Sequence, residues 1–309
     1  MNHYLPIKRL EYIITRACTS RCRHCSVGDV KDPAAHMLPD AAECAVRELS
    51  ACTKLESVMT FGGEPLLFPE TTLAVHRAAL ELGIPKRQII TNGCFSRDPA
   101  HIREVADELR GCVNSLLLSV DGFHAEHIPP ERVYPFAEYI AALPGARLHP
   151  AWLVSPEDDN VWNRRTQEVL AYFKPLGMPV SKGNVIFPGG RAERELAEYF
   201  PQASSPDLTL PCGEAPYTDP LDRVTSLSID PYGGVYACAM KIGKISEGMA
   251  AVCERYNPYA NPYAAALMRG GVRELVEYAR SVGVTIDPSA YRTGCGVCRA
   301  LLAKLGGRE

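Results

Sequence analysis

Residues 11–25 read "EYIITRACTSRCRHC" and join a strand-like run to three closely spaced cysteines. The first five residues are rich in β-branched and aromatic side chains, which is typical of a strand. Cys18, Cys22 and Cys25 follow directly. A loop that follows a strand of a parallel sheet lies at the end of the sheet where such enzymes build their sites. The cysteine group is therefore the first candidate for a functional site.

Three thiols in one loop fit neither of the common structural uses of cysteine. A disulfide uses two cysteines, and a structural zinc site has four ligands. Thiolates are soft ligands that suit iron–sulfur clusters, and three of them leave one iron of a [4Fe–4S] cluster open to a non-protein ligand. The spacing alone also allows half of a zinc site, completed by His24 or by a remote group.

The composition is that of an ordinary globular protein. The chain has 309 residues, of which 46% are hydrophobic and 22% charged, and its formal net charge is −3. This mild acidity argues against nucleic acid or a membrane surface as the main partner. No run approaches the roughly eighteen apolar residues of a membrane span, and the first residues lack the features of a signal peptide. We expect a cytoplasmic protein, in which most of the 12 cysteines are metal ligands or packed thiols rather than disulfides.

Strand-like and helix-like stretches alternate through the first 190 residues. The repeat is about 30 residues long, which is the size of a βαβ unit. Six units predict an α/β fold with a parallel sheet, curled or open, and helices outside it. The candidate strands are 11–15, 57–61, 87–91, 115–120, 147–154 and 181–187.

The pattern changes after about residue 192. Residues 201–222 are rich in proline, serine and aspartate, and "SLSIDPYGGVYAC" (226–238) predicts a β-hairpin with turn residues at its centre. Residues 272–283 predict a helix that ends at a glycine. We therefore predict two regions, 1–192 and 193–309, with a boundary near 192–210.

Four motifs together resemble the radical S-adenosylmethionine (radical SAM) family. The cysteine spacing matches the family's CxxxCxxC motif, and "FGGEPLL" (61–67) resembles its glycine-glycine-glutamate motif. "TNG" (91–93) and "SVDG" (119–122) follow the third and fourth predicted strands, where the family contacts S-adenosylmethionine. The resemblance covers residues 11 to about 192 and implies a partial (β/α)6 TIM-like barrel.

The resemblance implies that Cys18, Cys22 and Cys25 hold a [4Fe–4S] cluster whose open iron binds S-adenosylmethionine. It further implies that Gly62 and Gly63 let the backbone approach the methionine amino group, with Glu64 as counter-charge. The residues that match cofactor-binding positions are His24, Gly62, Gly63, Glu64, Thr91, Asn92, Ser119, Asp121 and Arg191.

Two of these positions have an alternative interpretation. His24 stands where the family often places an aromatic residue against the adenine, but it is equally a solvated loop histidine. Arg191 belongs to "FPGGRA" (187–192), which resembles a Gly-Arg-Ala stretch of the family, but it is also a candidate for a surface charge. His124, Glu126 and His127 lie just past the fourth strand; we expect them to be solvated or to face substrate rather than to bind a separate metal.

The C-terminal cysteines resemble those of the SPASM/twitch subgroup, whose extension carries an auxiliary iron–sulfur cluster. Cys212, Cys238, Cys295 and Cys298 are the four candidate ligands, and their number implies one fully ligated second [4Fe–4S] cluster. Four thiolates also satisfy tetrahedral zinc. Cys253 is an alternative to Cys238, although the hairpin motif favours Cys238.

The resemblance implies an enzyme that reductively cleaves S-adenosylmethionine to a 5′-deoxyadenosyl radical, which abstracts a hydrogen atom from substrate. The substrate expected first is a ribosomally made peptide that is oxidised, cross-linked or epimerised; the alternative is a small-molecule alcohol or sugar. A reducing partner such as flavodoxin or ferredoxin is implied. Asp230 or Tyr232 would accept the proton that leaves in an oxidation, although Asp230 is also a typical turn residue. The alternative to an enzyme is a non-catalytic protein, either an iron–sulfur electron carrier or a zinc-stabilised scaffold.

Overall fold

The computed structural model describes residues 2–28, 32–200, 206–215 and 218–306. The strands are β1 (Arg9–Ile13), β2 (Ser57–Phe61), β3 (Lys86–Thr91), β4 (Ser115–Ser119), β5 (Ala146–His149), β6 (Ala151–Trp152), β7 (Asn184–Val185), β8 (Ser226–Ile229), β9 (Gly234–Ala237) and β10 (Met240–Lys244). The α-helices are α1 (Pro39–Cys52), α2 (Pro69–Glu81), α3 (Pro99–Cys112), α4 (Gly122–Ala125), α5 (Pro130–Ile140), α6 (Val161–Phe173), α7 (Ala192–Glu195), α8 (Met249–Arg255), α9 (Pro262–Ser281) and α10 (Gly294–Leu305).

The helix ends follow local sequence signals. Proline opens several helices, where its missing N–H costs no helical hydrogen bond. Asp98 caps α3 as predicted, because its side chain accepts a hydrogen bond from the N–H of Ala100. The helix α3 then buries one apolar face. On α3 this face consists of Ile102, Val105, Ala106, Leu109 and Cys112.

A sheet of eight strands forms the centre of the fold, in the order β10-β9-β8-β1-β2-β3-β4-β5. Strands β1 to β5 are parallel neighbours, with Leu10 opposite Val58 and Leu116 opposite Ala146. Because the strands are parallel, the loops after β1, β2, β3 and β4 all leave from one end of the sheet. The motif-bearing loops therefore meet there.

The fifth predicted strand is split into two. Proline lacks the backbone N–H that a ladder needs, and Pro150 separates β5 from β6. β6 pairs with β7 in a separate parallel sheet, and an isolated bridge joins Leu148 of β5 to Val180, in the segment before β7. The sixth predicted strand is reduced to β7, which has two residues. With these differences, the architecture is the predicted mixed α/β fold, a partial (β/α)6 TIM-like barrel.

The predicted hairpin is present and extends the barrel sheet. β8 pairs in parallel with β1, with Leu10 opposite Leu227 and Tyr12 opposite Ile229. β9 then returns antiparallel to β8. A second core lies beyond the hairpin, where Leu267 and Leu275 of α9 pack with Val297 and Leu301 of α10. The division into 1–192 and 193–309 stays a prediction, and residues 201–205 of its boundary lie outside the described residues.

Within the described part of the chain, every helix is too short or too polar to cross a membrane.

Candidate functional site

The loop after β1 brings three sulfur atoms to one end of the barrel. The N–H of Cys25 donates to the carbonyl of Cys22 at 3.2 Å and closes a turn between them. Ser20 contacts two of the three thiols, Cys18 Sγ through its N–H at 3.4 Å and Cys22 Sγ through its hydroxyl at 2.8 Å. Burial, with a contribution from the charge of Glu64, raises the pKa of Cys18 to about 12. A metal that binds such a thiol displaces its proton, so this donor set fits a soft metal centre.

Gly62 and Gly63 hold the loop after β2 against this cysteine loop. The N–H of Gly63 donates to Thr15 and that of Glu64 donates to Ala17, both at 2.8 Å. A Cβ atom at position 63 would clash with the carbonyl group of Ala17, because the two would be much closer than 3.0 Å. Gly62 has a φ of +144°, which favours glycine. The two glycines therefore allow the loop after β2 to pack against the backbone that leads into the cysteines. That they also let the backbone approach the cofactor stays a prediction.

Glu64 connects the loop after β2 to the loop after β3. Its carboxylate is fully buried and accepts hydrogen bonds from Leu66 N–H (3.0 Å), the Thr91 hydroxyl (2.6 Å) and Asn92 N–H (2.7 Å). Burial raises its pKa to about 7, although these hydrogen bonds oppose the shift. The carboxylate is thus fixed at the carboxyl end of the sheet, as a counter-charge to a bound ammonium group would need to be.

Asn92 extends this network to the cysteines. Its side-chain N–H group lies 3.2 Å from the Thr19 hydroxyl and 3.5 Å from Cys18 Sγ. Its side-chain oxygen accepts from the N–H of Cys94 at 2.8 Å. The predicted β2 and β3 loops and the cysteine loop therefore form one connected unit.

Asp121 fixes the start of α4 beside the cysteine loop. It accepts from the N–H groups of Phe123 (3.0 Å) and His124 (2.9 Å), and its other oxygen accepts from the N–H of Ala151 (3.2 Å). Burial opposes ionisation, but the charge of His124 outweighs it and holds the pKa of Asp121 well below its usual range. Ser119, at the end of β4, lines one small cavity with Asn92, Asp121 and His124.

His24 lies with its ring against two other rings. The ring centroids are 4.9 Å from Phe123 and 5.1 Å from His124. Burial lowers the pKa of His24 to about 4, so the ring is neutral at neutral pH. A flat neutral ring in this position is compatible with the predicted contact to adenine and differs from a solvated loop histidine.

Arg191 lies beside the cysteine loop. Its backbone N–H donates to the carbonyl of Cys25 at 3.0 Å, and its guanidinium group pairs with Glu195 at 2.6 Å. Its side chain is only 14% exposed. The predicted "FPGGRA" segment is therefore part of the site's wall.

Asp230 and Tyr232 lie in the hairpin turn. Because β8 is parallel to β1, this turn emerges at the same end of the sheet as the cysteine loop. The Asp230 carboxylate accepts from Tyr232 N–H (2.9 Å), Gly234 N–H (2.8 Å) and the Tyr236 hydroxyl (2.9 Å). Tyr232 is 58% exposed. These contacts favour the turn interpretation of Asp230, and a role in proton transfer stays a prediction for both residues.

The four C-terminal cysteines come together. Burial, and then the charges of Cys212, Cys238 and Cys295, raise the pKa of Cys298 well above its usual range. Burial, together with Cys238 and Cys295, raises the pKa of Cys212 to about 11. Cys295 and Cys298 both lie on α10, three residues apart and therefore on one face. Thiols from three separate segments thus lie near enough to raise one another's pKa.

Cys238 is presented by a strained turn. It begins the two-residue connection between β9 and β10 and has a φ of +53°, which is rare for a residue other than glycine. Such strain costs about 1 kcal/mol and is often found at functional sites. Cys253 instead has Cys52 as its neighbouring thiol and packs against the core between the sheet and α1. The geometry favours Cys238 over Cys253 as a ligand.

The segment that carries Cys212 lies on a kink of α9. Gly271 has a φ of +68°, and a Cβ there would lie 2.8 Å from the carbonyl oxygen of Leu208. The N–H of Arg273 donates to that carbonyl at 2.9 Å. The kink at Gly271 therefore leaves room for the backbone of Leu208, in the segment that leads to Cys212.

The two cysteine groups lie at opposite ends of β1. Ala237 is opposite Leu227, which is opposite Leu10. Because β9 runs antiparallel to β8, the next residue, Cys238, is level with Arg9 at the start of β1. The cysteine loop leaves β1 after Ile13. At about 3.3 Å per residue, the two ends of this strand are about 13 Å apart. The structure therefore contains two separate sulfur-rich sites.

Comparison with known proteins agrees with the motifs at the first of these sites. Residues 12–149 match the family model of the radical SAM superfamily. This part of the chain therefore resembles a radical SAM domain. No curated protein matches the chain in sequence.

Solved structures share the fold of the radical SAM domain and of the region after it. Streptococcus suis SuiB bound to S-adenosylmethionine is 15% identical at a TM-score of 0.55, over 95% of this chain and 77% of SuiB. Native anSMEcpe with bound AdoMet is 14% identical at a TM-score of 0.51, over 98% of both chains. At this identity the likeness concerns the fold.

His124 and Ser20 are the contacts of the radical SAM domain that sequence reasoning missed. Burial opposes the shift, but the charges of Asp121 and then Cys22 raise the pKa of His124 well above its usual value, so the ring lies near both residues. The sequence placed His124 just past the fourth strand, but its contact with a cysteine about 100 residues earlier has no signal in the sequence. Ser20 lies inside the cysteine motif, whose spacing says nothing about the residues between.

Proposed function

We propose that this chain is a radical SAM enzyme that cleaves S-adenosylmethionine reductively and abstracts a hydrogen atom from a peptide. The observation that carries the proposal is the link from Glu64 through Asn92 to Cys18. This link connects the predicted cofactor loops to the cysteine loop through Cys18. A pure electron carrier has no need for such loops.

Cys18, Cys22 and Cys25 would hold the [4Fe–4S] cluster of this site. When bound, the cluster supplies the electron that cleaves S-adenosylmethionine into methionine and a 5′-deoxyadenosyl radical. Glu64 is positioned to balance the charge of the methionine ammonium group, and His24 offers a neutral ring for the adenine. The surrounding loops exclude water from the reacting atoms.

A peptide substrate is supported by one structural neighbour. A structure of native anSMEcpe with bound AdoMet and a Kp18Cys peptide is 14% identical at a TM-score of 0.50, over 98% of this chain and 97% of that chain. In this chain both residues of β7 are exposed, and β7 pairs only with β6 among the described strands. The barrel is therefore open at this edge, where an extended chain could approach.

The C-terminal cysteines would hold a second cluster. Cys212, Cys238, Cys295 and Cys298 supply the four thiolates of a fully ligated [4Fe–4S] cluster. Such a cluster can accept the electron that remains on substrate after hydrogen abstraction, which would make the reaction a two-electron oxidation or a cross-link. A flavodoxin or ferredoxin would deliver the first electron.

Anaerobically reconstituted protein is expected to form 5′-deoxyadenosine when it is mixed with S-adenosylmethionine and dithionite. Cys22→Ala is expected to lower this rate at least 100-fold, because it removes a cluster ligand. Cys44→Ala is the matched control, since Cys44 is exposed on α1 and belongs to neither cysteine group. Chromatography of the quenched reaction measures the product. Equal rates for the wild type and Cys22→Ala, or no product from either, would contradict the proposal.

A further inference from the structure

We propose that His124 is a positioning residue that raises the reduction potential of the cluster on the first cysteine group. It does so by connecting the buried Asp121 carboxylate to the sulfur of Cys22. The inference rests on the proposed function, because it assumes that Cys18, Cys22 and Cys25 hold a cluster.

One side of His124 is fixed by Asp121. The ring Nδ1 lies 2.9 Å from both carboxylate oxygens, and the backbone N–H of His124 donates to the same carboxylate. The Asp121 side chain is 1% exposed and that of His124 is 18% exposed. Main-chain and side-chain contacts to one buried carboxylate leave the ring little rotational freedom.

The other side of His124 faces the cysteine loop. The ring lies beside the thiol of Cys22, which is buried in the same hydrophobic cluster as Phe123, the residue before His124. The edge of the ring meets the ring of His24, with centroids 5.1 Å apart. With Nδ1 directed at Asp121, the opposite N–H of the ring is the donor left for the sulfur.

This arrangement fits a hydrogen-bond relay better than a separate cation site. Donor atoms of His24, Asp121 and His124 lie within 4.8 Å of one another, as metal ligands can. The Asp121 carboxylate, however, already accepts from Phe123, Ala151 and His124 on both oxygens. A carboxylate offers about four lone-pair positions, so these donors account for its acceptor capacity.

A donor fixed at a cluster ligand changes the energy of the cluster. Hydrogen bonds to the sulfurs are among the factors that set the potential of an iron–sulfur cluster. Reduction adds negative charge to the sulfurs and strengthens such a bond, so the bond favours the reduced form. Its removal should therefore make the cluster harder to reduce.

His124→Phe tests this effect in the full-length reconstituted protein. We expect the ratio of reduced to oxidised cluster at a fixed potential to fall about tenfold, which is about 59 mV for one electron. A redox titration followed by EPR measures the ratio, with the signal of this cluster identified by its change on addition of S-adenosylmethionine. His127→Phe is the matched control: it lies in the same segment, and its side chain is 35% exposed and lies near Glu126.

The outcomes separate the inference from the proposed function. A wild type without a signal that responds to S-adenosylmethionine would contradict the proposed function itself. If the wild type shows this signal and the ratio of reduced to oxidised cluster in His124→Phe is within twofold of the wild-type ratio, only the role of His124 is overturned. If His124→Phe loses its iron, His124→Gln decides: a lowered ratio supports the role and an unchanged ratio overturns it. Loss of iron from both variants would also overturn it, because His124 would then retain the cluster rather than tune it.

Discussion

Gly63→Ala is expected to lower the free energy of unfolding by about 3 kcal/mol. A Cβ at this position would collide with the backbone of Ala17, and neither the strand end nor the cysteine loop can move without breaking hydrogen bonds to Thr15 and Ala17. The cysteine loop should be displaced in the variant that does fold. Urea denaturation of the reduced, metal-free protein measures the change.

Gly111→Ala is the control for this substitution. Gly111 lies inside α3, and a Cβ there would have no atom within 4 Å. Gly111 lies in the last turn of α3, where alanine should stabilise the protein by no more than about 0.5–1 kcal/mol. A Gly63→Ala variant as stable as the wild type would show that the loop after β2 does not press on the cysteine loop.

Glu64→Gln is expected to remove a pH-dependent loss of stability. The pKa of Glu64 is raised from 4.5 to about 7 by burial, so the folded state holds this proton more tightly than the unfolded chain does. The carboxyl group therefore contributes full stability below pH 4.5 and loses it as the pH rises to about 7. Relative to the glutamine variant, the wild type should lose about 3 kcal/mol across this window.

The comparison with the variant is needed because buried histidines such as His24 and His76 act in the opposite direction. Burial lowers the pKa of His24 to about 4 and that of His76 to about 3. Both therefore add stability as the pH rises to 6.5, but they are present in both proteins and cancel in the difference. Urea denaturation of the metal-free proteins at several pH values from 4.5 to 7.5 gives this difference. Parallel pH profiles for the two proteins would show that Glu64 does not titrate in this range.

The sequence predicted the barrel well where the signals are local. β2, β3 and β4 are apolar runs bounded by helices with clear start and stop residues, and the structure places them within two residues of the prediction. The break at Pro150 was visible in the sequence, but the apolar residues on both sides favoured one continuous strand. The pairing of β8 with β1 joins segments more than 200 residues apart, and hydrophobic periodicity carries no information about such a partner.

The candidate site, too, was predictable from the sequence only in part. The spacing of the motifs predicted which loops meet, because parallel strands bring their carboxyl ends together. It did not predict that Glu64 would bind the Thr91 hydroxyl and Asn92 N–H, that Gly63 would lie on Ala17, or that His124 would reach Cys22. These contacts depend on the twist and spacing of neighbouring strands, which three-dimensional packing sets.

The most direct test of two independent cysteine sites is the iron content and EPR spectrum of the Cys18/Cys22/Cys25→Ala triple variant, prepared without oxygen. About four irons per chain should remain, with a [4Fe–4S] signal upon reduction, because the four C-terminal cysteines lie at the other end of β1. Zinc in place of iron, or the loss of all metal, would contradict a second cluster and leave the C-terminal cysteines with a structural role.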